Sequence, residues 1–252
     1  MRWPAAVTLG VVSYLFFLIA SLPAQQLIGL FAAGGPAQSL LIEGASGTVW
    51  AGEAQRVTLQ NTPLGELKWR FKPLRLLLGK LAYAIELEHT GQQFQGVFIT
   101  GFGDTVRLAD VDALLQAGQL AELLQQRQIR IDGKVRAQEL DLVFSNGKLT
   151  EADGKVQWLD AALRSPMNMA IGDLQADIST DDASGDIKGQ IRDLKGSIAI
   201  QAEVSLKTDG SFQFSGKMKP GDKADPGLTG ALQAIGKKQP DGSIQLKYAG
   251  KI

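Results

Sequence analysis

Between Ser197 and Lys207 apolar and polar residues alternate strictly: Ile198, Ile200, Ala202, Val204 and Leu206 share one side, and Ser197, Gln201, Glu203, Ser205 and Lys207 the other. Period two marks a half-buried strand. Thr208-Asp209-Gly210 follows, and Asp-Gly is a strong hairpin signal. Phe212, Phe214 and Met218 then resume the apolar side, opposite Gln213, Ser215, Lys217 and Lys219. The same pattern runs through Leu81, Tyr83, Ile85 and Leu87, through Ile129, Ile131, Val135 and Ala137, and through Leu140, Leu142 and Phe144. Asn146-Gly147 predicts another tight turn, and Ile244, Leu246 and Tyr248 form a last strand after Asp241-Gly242. Strands separated by glycine turns predict a mostly β fold, a long antiparallel meander with one dry and one wet face. Its sheet either curls into a groove or divides into two similar β units. The second form draws on an echo between Gly47-Thr48-Val49-Trp50 and Gly154-Lys155-Val156-Gln157-Trp158, with the polar stretch 179–185 as a loop between the units.

Three short helices interrupt this pattern. Pro73–Leu78 opens on proline and stops at Gly79. Residues 110–126 place Val111, Leu114, Leu115 and Gly118 at helical spacing. Residues 226–235, capped by Asp225 and stopped by Gly236, carry Leu228, Leu232 and Ile235. Each is expected to cover the dry face or an open end of the sheet, since bare edges invite aggregation.

One stretch departs from the even mixture. Residues 5–22 carry no charge and are mostly apolar, bracketed by Pro4 and Pro23. At about 1.5 Å per residue they span roughly 27 Å, close to a bilayer core. This predicts a transmembrane signal-anchor over 5–22, a short cytoplasmic terminus over 1–4, a juxtamembrane segment over 23–37 and a periplasmic β-rich domain over 38–252. Arg2 precedes the span and the next charge is Glu43, so the positive-inside rule leaves the N-terminus in the cytoplasm. A cleaved signal peptide is the competing reading. Leu22 at the minus-three position and Pro23 before the cut fit its small-residue rule poorly.

Composition narrows the chemistry. Lys+Arg and Asp+Glu are 26 each. That balance argues against a nucleic-acid partner, which asks for a basic excess. The absence of cysteine excludes disulfides, thiolate metal sites and thiol nucleophiles. His89 is the only histidine, at a strand end before Thr90-Gly91, and no G-x-S-x-G elbow accompanies it. Gly101-Phe102-Gly103 lacks the third glycine of a dinucleotide loop and reads as a turn or bulge. No catalytic, metal or cofactor residues are assigned. The tryptophans stand out: Trp50, Trp69 and Trp158 lie in or beside strands, either as core anchors or as a partner surface, where aromatics are enriched.

Gly47-Thr48-Val49-Trp50-Ala51-Gly52 and the block Trp69-Arg70-Phe71-Lys72-Pro73-Leu74-Arg75-Leu76-Leu77 follow the N-terminal apolar segment. In this arrangement the chain resembles the type II secretion system protein N family over essentially its whole length. The resemblance implies a single-pass inner-membrane protein with a periplasmic domain. It would be an accessory, non-enzymatic part of the machine that exports folded proteins across the outer membrane, and its partners would be other secretion subunits. It brings no active site and no cofactor. The family also looks distantly like groove-forming periplasmic proteins of the AsmA type, which keeps a lipid-binding or lipid-transfer module as the alternative.

Overall fold

The computed structural model describes residues 13–14, 17–25, 40–123, 130–165, 168–196, 198–221 and 236–251. Its strands are β1 (Leu40–Gly47), β2 (Ala51–Leu59), β3 (Thr62–Phe71), β4 (Leu81–His89), β5 (Gln92–Thr100), β6 (Thr105–Gln116) and β7 (Arg130–Ser145). They continue as β8 (Lys148–Ser165), β9 (Met169–Thr180), β10 (Ile187–Gly196), β11 (Ile198–Leu206), β12 (Ser211–Pro220), β13 (Lys237–Lys238) and β14 (Ile244–Lys251). All fourteen belong to one sheet, in which β1 to β12 lie side by side in chain order, followed by β14 and then β13. The paired strands run antiparallel. The meander is therefore continuous and is not divided into two sheets. The polar stretch near 180 is an ordinary hairpin connection, in which the amide of Asp181 donates to the carbonyl of Asp186 across the β9–β10 turn.

Turn chemistry sets the register. Asn146 and Gly147 take positive φ (52° and 73°), as the two central residues of a type I′ hairpin require. Gln60 and Asn61 do the same without a glycine (51° and 71°).

The sheet curls. A cavity is lined on one side by Gln60, Asn61 and Thr62 at the β2–β3 turn, and on the other by Ile131, Asp132 and Arg164 of β7 and β8. Five strand spacings, about 24 Å in a flat sheet, separate β3 from β8. The two walls can share one cavity only if the sheet bends round. Helix α1 (Ala117–Leu123) sits in that bend, touching β3, β6 and β7 and burying Ala117 and Ala121.

Burial is thin. Among the described residues most buried apolar side chains are alanines, and the large ones that are fully buried are Ile198 and Ile244. They fall into separate clusters: one round Ile198, Ile200 and Ile244, one round Ala45, Ala54 and Val57, and one round Ala82, Ile99 and Ala109.

Two expectations about helices need correction. Residues 110–116 continue strand β6, and the helix is confined to Ala117–Leu123. The register of β6 against β7 shifts at Leu108/Val111 and again at Val111/Ala113. A bulge inserts a residue and breaks period two, so Val111, Leu114 and Leu115 acquire a spacing that imitates a helix. The Pro73–Leu78 helix exists, as a 3₁₀ helix stopped by left-handed Gly79, but it buries none of its own residues. The expected helix at 226–235 lies outside the described residues, as does most of the expected membrane span. Among the described residues no helix is long and apolar enough to cross a membrane.

Candidate functional site

The two sequence blocks that stand out, Gly47–Gly52 and Trp69–Leu77, form one corner of the sheet. Gly47 has φ +89°, and a Cβ there would lie 2.6 Å from the Ala51 carbonyl oxygen. Only glycine permits that approach. It lets the Thr48 amide donate to the Ala51 carbonyl (2.9 Å) and the Ala51 amide donate to Thr48 Oγ1 (3.2 Å), which closes the β1–β2 turn.

Gly52 stands opposite Trp69 in the β2–β3 ladder. A Cβ on Gly52 would come within 2.4 Å of Trp69 Cζ2, so the indole lies in the space that glycine leaves open. Trp69 Nε1 then donates to the Thr48 carbonyl at 3.0 Å. On the other side of the turn the Phe71 amide donates to the Trp50 carbonyl at 2.6 Å. The rings of Trp50 and Phe71 meet edge-on with centroids 4.8 Å apart, and Phe71 in turn lies 5.3 Å from Tyr83. Such tilted contacts match the quadrupoles of the rings. Burial raises the Tyr83 hydroxyl above its ordinary pKa.

The N-terminal segment is fastened to this corner. Residues 17–20 are helical, and the chain leaves the helix at Ser21 and Leu22. The Val49 amide donates to the Leu22 carbonyl (3.0 Å), and Trp50 Nε1 donates to the Ile19 carbonyl (2.8 Å). Pro23 pairs with Thr48 in an isolated bridge, Gln25 Nε2 donates to the Ala45 carbonyl (2.7 Å), and Ala24 is buried. Trp50 thus donates to a carbonyl in the last turn of this helical segment, which also accepts from the Leu22 amide at 3.4 Å.

Of the three singled-out tryptophans, Trp50 and Trp69 come together and Trp158 does not. Trp158 lies mid-strand in β8, opposite Val135 and Leu174, and donates to the Asp132 carbonyl at 2.9 Å. Asp132 also receives Arg164 at 2.9 Å and the Gly133 amide at 2.8 Å, and these hold its carboxyl below the usual carboxylate range. Each of the three indoles is half-buried with its N–H spent on a main-chain carbonyl. His89 ends β4 beside a groove whose walls include Gln55, Arg56, Glu66, Glu88 and Gln92 and no serine.

Sequence reasoning missed Leu22, Gln25 and Phe71 as parts of the corner. Phe71 carried a usable signal, standing at the end of the alternating β3 run just before the Pro73 helix. Leu22 and Gln25 carried none, because Leu22 acts through its own main-chain carbonyl, which accepts from the Val49 amide, and Gln25 through the carbonyl of distant Ala45.

Comparison with known proteins agrees with the sequence resemblance. The family model described as Type II secretion system (T2SS), protein N matches residues 38–247. The chain is 22% identical to the type II secretion system protein N of Aeromonas hydrophila, over 97% of this chain and 96% of that protein. It is 26% identical to the protein of that name from Vibrio cholerae, over 81% of each, and 25% identical to that of Klebsiella pneumoniae, over 94% and 92%. No solved structure matches it.

Proposed function

Because the chain belongs to the type II secretion system protein N family, we propose that it is an accessory inner-membrane component of that system, supporting the export of folded proteins through periplasmic contacts with other subunits. The observation that carries this reading is the docking of residues 19–25 on the Thr48–Trp50 turn. The apolar segment over 5–22 would be retained as an anchor, because its last turn is part of how the corner is built. Cleavage beyond Ala20 would remove the Leu22 carbonyl or leave Trp50 Nε1 without its acceptor. With the N-terminus cytoplasmic, the sheet lies in the periplasm. Trp50, Trp69 and Trp158 hold its segments in place and leave the exposed strand faces and edges for partners.

Deleting the gene is expected to lower secretion of folded exoproteins while their periplasmic forms accumulate. Unchanged secretion would overturn the reading. Photocrosslinkers at the exposed positions Gln55, Lys148 and Lys207 are expected to capture secretion subunits in intact cells.

A second reading, lipid binding by the groove, is favoured by one observation. Val204, Leu206, Phe212 and Phe214 on the apolar side of β11 and β12 are only half-buried, whereas Ile198 and Ile200 are buried. Mass spectrometry of lipids retained by the purified protein separates the two readings. Stoichiometric acyl lipid would favour transfer, and lipid-free protein would favour contact with subunits.

A further inference from the structure

The 3₁₀ helix Pro73–Leu78 has a composition that folding does not use. Leu74 is 78% exposed, Leu76 52%, Leu77 84% and Leu78 69%. Phe102, on the neighbouring β5–β6 turn, is fully exposed at 101% and lies over Gly79. Leu81, just past the helix, is exposed as well. Isolated exposed leucines are ordinary, but a contiguous group on one protruding turn marks a binding surface.

The charges within this stretch of chain are all of one sign. Lys68, Arg70, Lys72, Arg75 and Lys80 are interleaved with the leucines, and no acidic residue occurs between Glu66 and Glu86. This happens in a chain whose total charge is zero. None of the five is paired with a carboxylate among the described residues. Lys68 stands in register with Glu53 and Glu86 on the flanking strands, and Asp110, Asp141 and Glu151 line the cavity behind Gly79 together with Arg75, Lys80 and Arg107, of which Arg107 pairs with Asp141 at 2.9 Å. An apolar tip ringed by unpaired cations suits a lipid surface carrying anionic headgroups: the leucines enter the acyl boundary and the long basic side chains reach up to phosphates.

Position points the same way. The Phe71 amide bonds the Trp50 carbonyl, and the next residue but one is Pro73. The adjoining Val49 amide bonds the Leu22 carbonyl at the end of the N-terminal helical segment. The leucine turn and the end of the apolar segment therefore emerge at the same end of the sheet, joined by two hydrogen bonds and one ring contact. Leu74, Leu76 and Leu77 stand clear of the cavity that Leu78 and Phe102 help to line.

We propose that Leu74, Leu76, Leu77, Leu78 and Phe102 insert into an anionic lipid interface, with Lys72, Arg75 and Lys80 on its phosphates, as a second membrane contact beside residues 5–22. The proposal rests on the membrane reading above for which bilayer is touched. This contact fixes the tilt of the sheet over the bilayer, which a single span cannot do.

The absence of cysteine makes the test direct. The full chain is placed in vesicles of phosphatidylethanolamine and phosphatidylglycerol, with an environment-sensitive fluorophore on one introduced thiol at a time: Leu77→Cys, Phe102→Cys, Tyr14→Cys or Lys207→Cys. Lipid-borne quenchers are expected to quench the probes at positions 77 and 102 several-fold more than the one at 207. The double change Lys72→Glu and Arg75→Glu, or vesicles of phosphatidylcholine alone, is expected to cut quenching at 77 at least two-fold. A probe at 77 left unquenched while the one at 14 is quenched would overturn the proposal and leave the spanning segment standing. The reverse result would sink the spanning segment and keep the lipid contact. Disulfide dimers of the unlabelled Leu77→Cys protein, with the labelled protein unquenched at 77, would assign the patch to a second copy and overturn the lipid proposal. Quenching at 77 indifferent to both headgroup and charge would overturn its anionic part.

Discussion

The sheet round Ile198, Ile200 and Ile244 and the corner round Trp50 and Trp69 are held together differently. The first follows the alternation of its strands: isoleucine inward, lysine, glutamine and glutamate outward, with Met169, Ile171, Leu174, Ile191 and Met218 packed against the buried residues. Its stability is area removed from water. The corner keeps its leucines outside, seats one indole against a glycine, and joins three stretches of chain by indole N–H groups on main-chain carbonyls. Where the pattern is obeyed the residues serve folding. Where exposed leucines violate it, the surplus is available for contact.

The sharpest way to break this comparison is to empty the isoleucine cluster. Ile198→Ala or Ile244→Ala removes a fully buried side chain and is expected to destabilise by about 2–5 kcal/mol in urea unfolding. Leu77→Ala, on an exposed side chain, is expected to stay within about 0.5 kcal/mol. Equal losses at the two sites would mean that the leucine turn is core after all. Next comes Gly52→Ala, whose Cβ would meet both Trp69 Cζ2 and the Ser46 carbonyl oxygen at 2.4 Å. It is expected to cost about 1–3 kcal/mol by overpacking, accompanied by a shift in tryptophan fluorescence. A silent Gly52→Ala would remove the argument for an interlocked corner.

The smallest effect is a difference in pH response. Hydrogen bonds from Lys188, from the Ser211 hydroxyl and from the Ser243 hydroxyl hold the carboxyls of Asp181, Asp209 and Asp241 below the usual range. These groups lie on the C-terminal half of the sheet. A lowered folded pKa stabilises above the unfolded value near 4 and is lost as pH falls through the folded one. The Tyr83 hydroxyl at the corner is raised by burial, so its contribution is present below about pH 10 and is lost as pH rises through the folded value. Acid below about pH 4 is expected to loosen the C-terminal hairpins first, and alkali above about pH 10 the corner. Hydrogen exchange from pH 3 to pH 10.5 resolves the order, and uniform loosening at either extreme would contradict it.

The strands at 81–88, 198–206, 212–218 and 244–248 were legible because each is an uninterrupted alternation ending in a glycine turn. Strand β6 was not, because two register shifts disguise its second half as a helix. The β2–β3 turn was hard to place, since Gln60 and Asn61 adopt positive φ without glycine. The register across that turn, which sets Gly52 against Trp69, was hidden with it. Both halves of the corner were visible as unusual sequence, but their meeting was not. The exposed leucines read naturally as a covering helix, because periodicity reports that a face is apolar and says nothing of what lies against it.

The strictly sequential strand order has a kinetic consequence. From β1 to β12 each strand's earlier neighbour is the one completed just before it, and only β13 and β14 exchange places. Nearest-neighbour pairing keeps contacts short in sequence and loop-closure costs low. A chain that emerges from its N-terminus can zip up hairpin by hairpin, and no early strand waits, edge bare, for a partner far downstream. The tryptophan corner, made of β1 to β4, would be finished first, so the junction with residues 19–25 is set before most of the sheet exists.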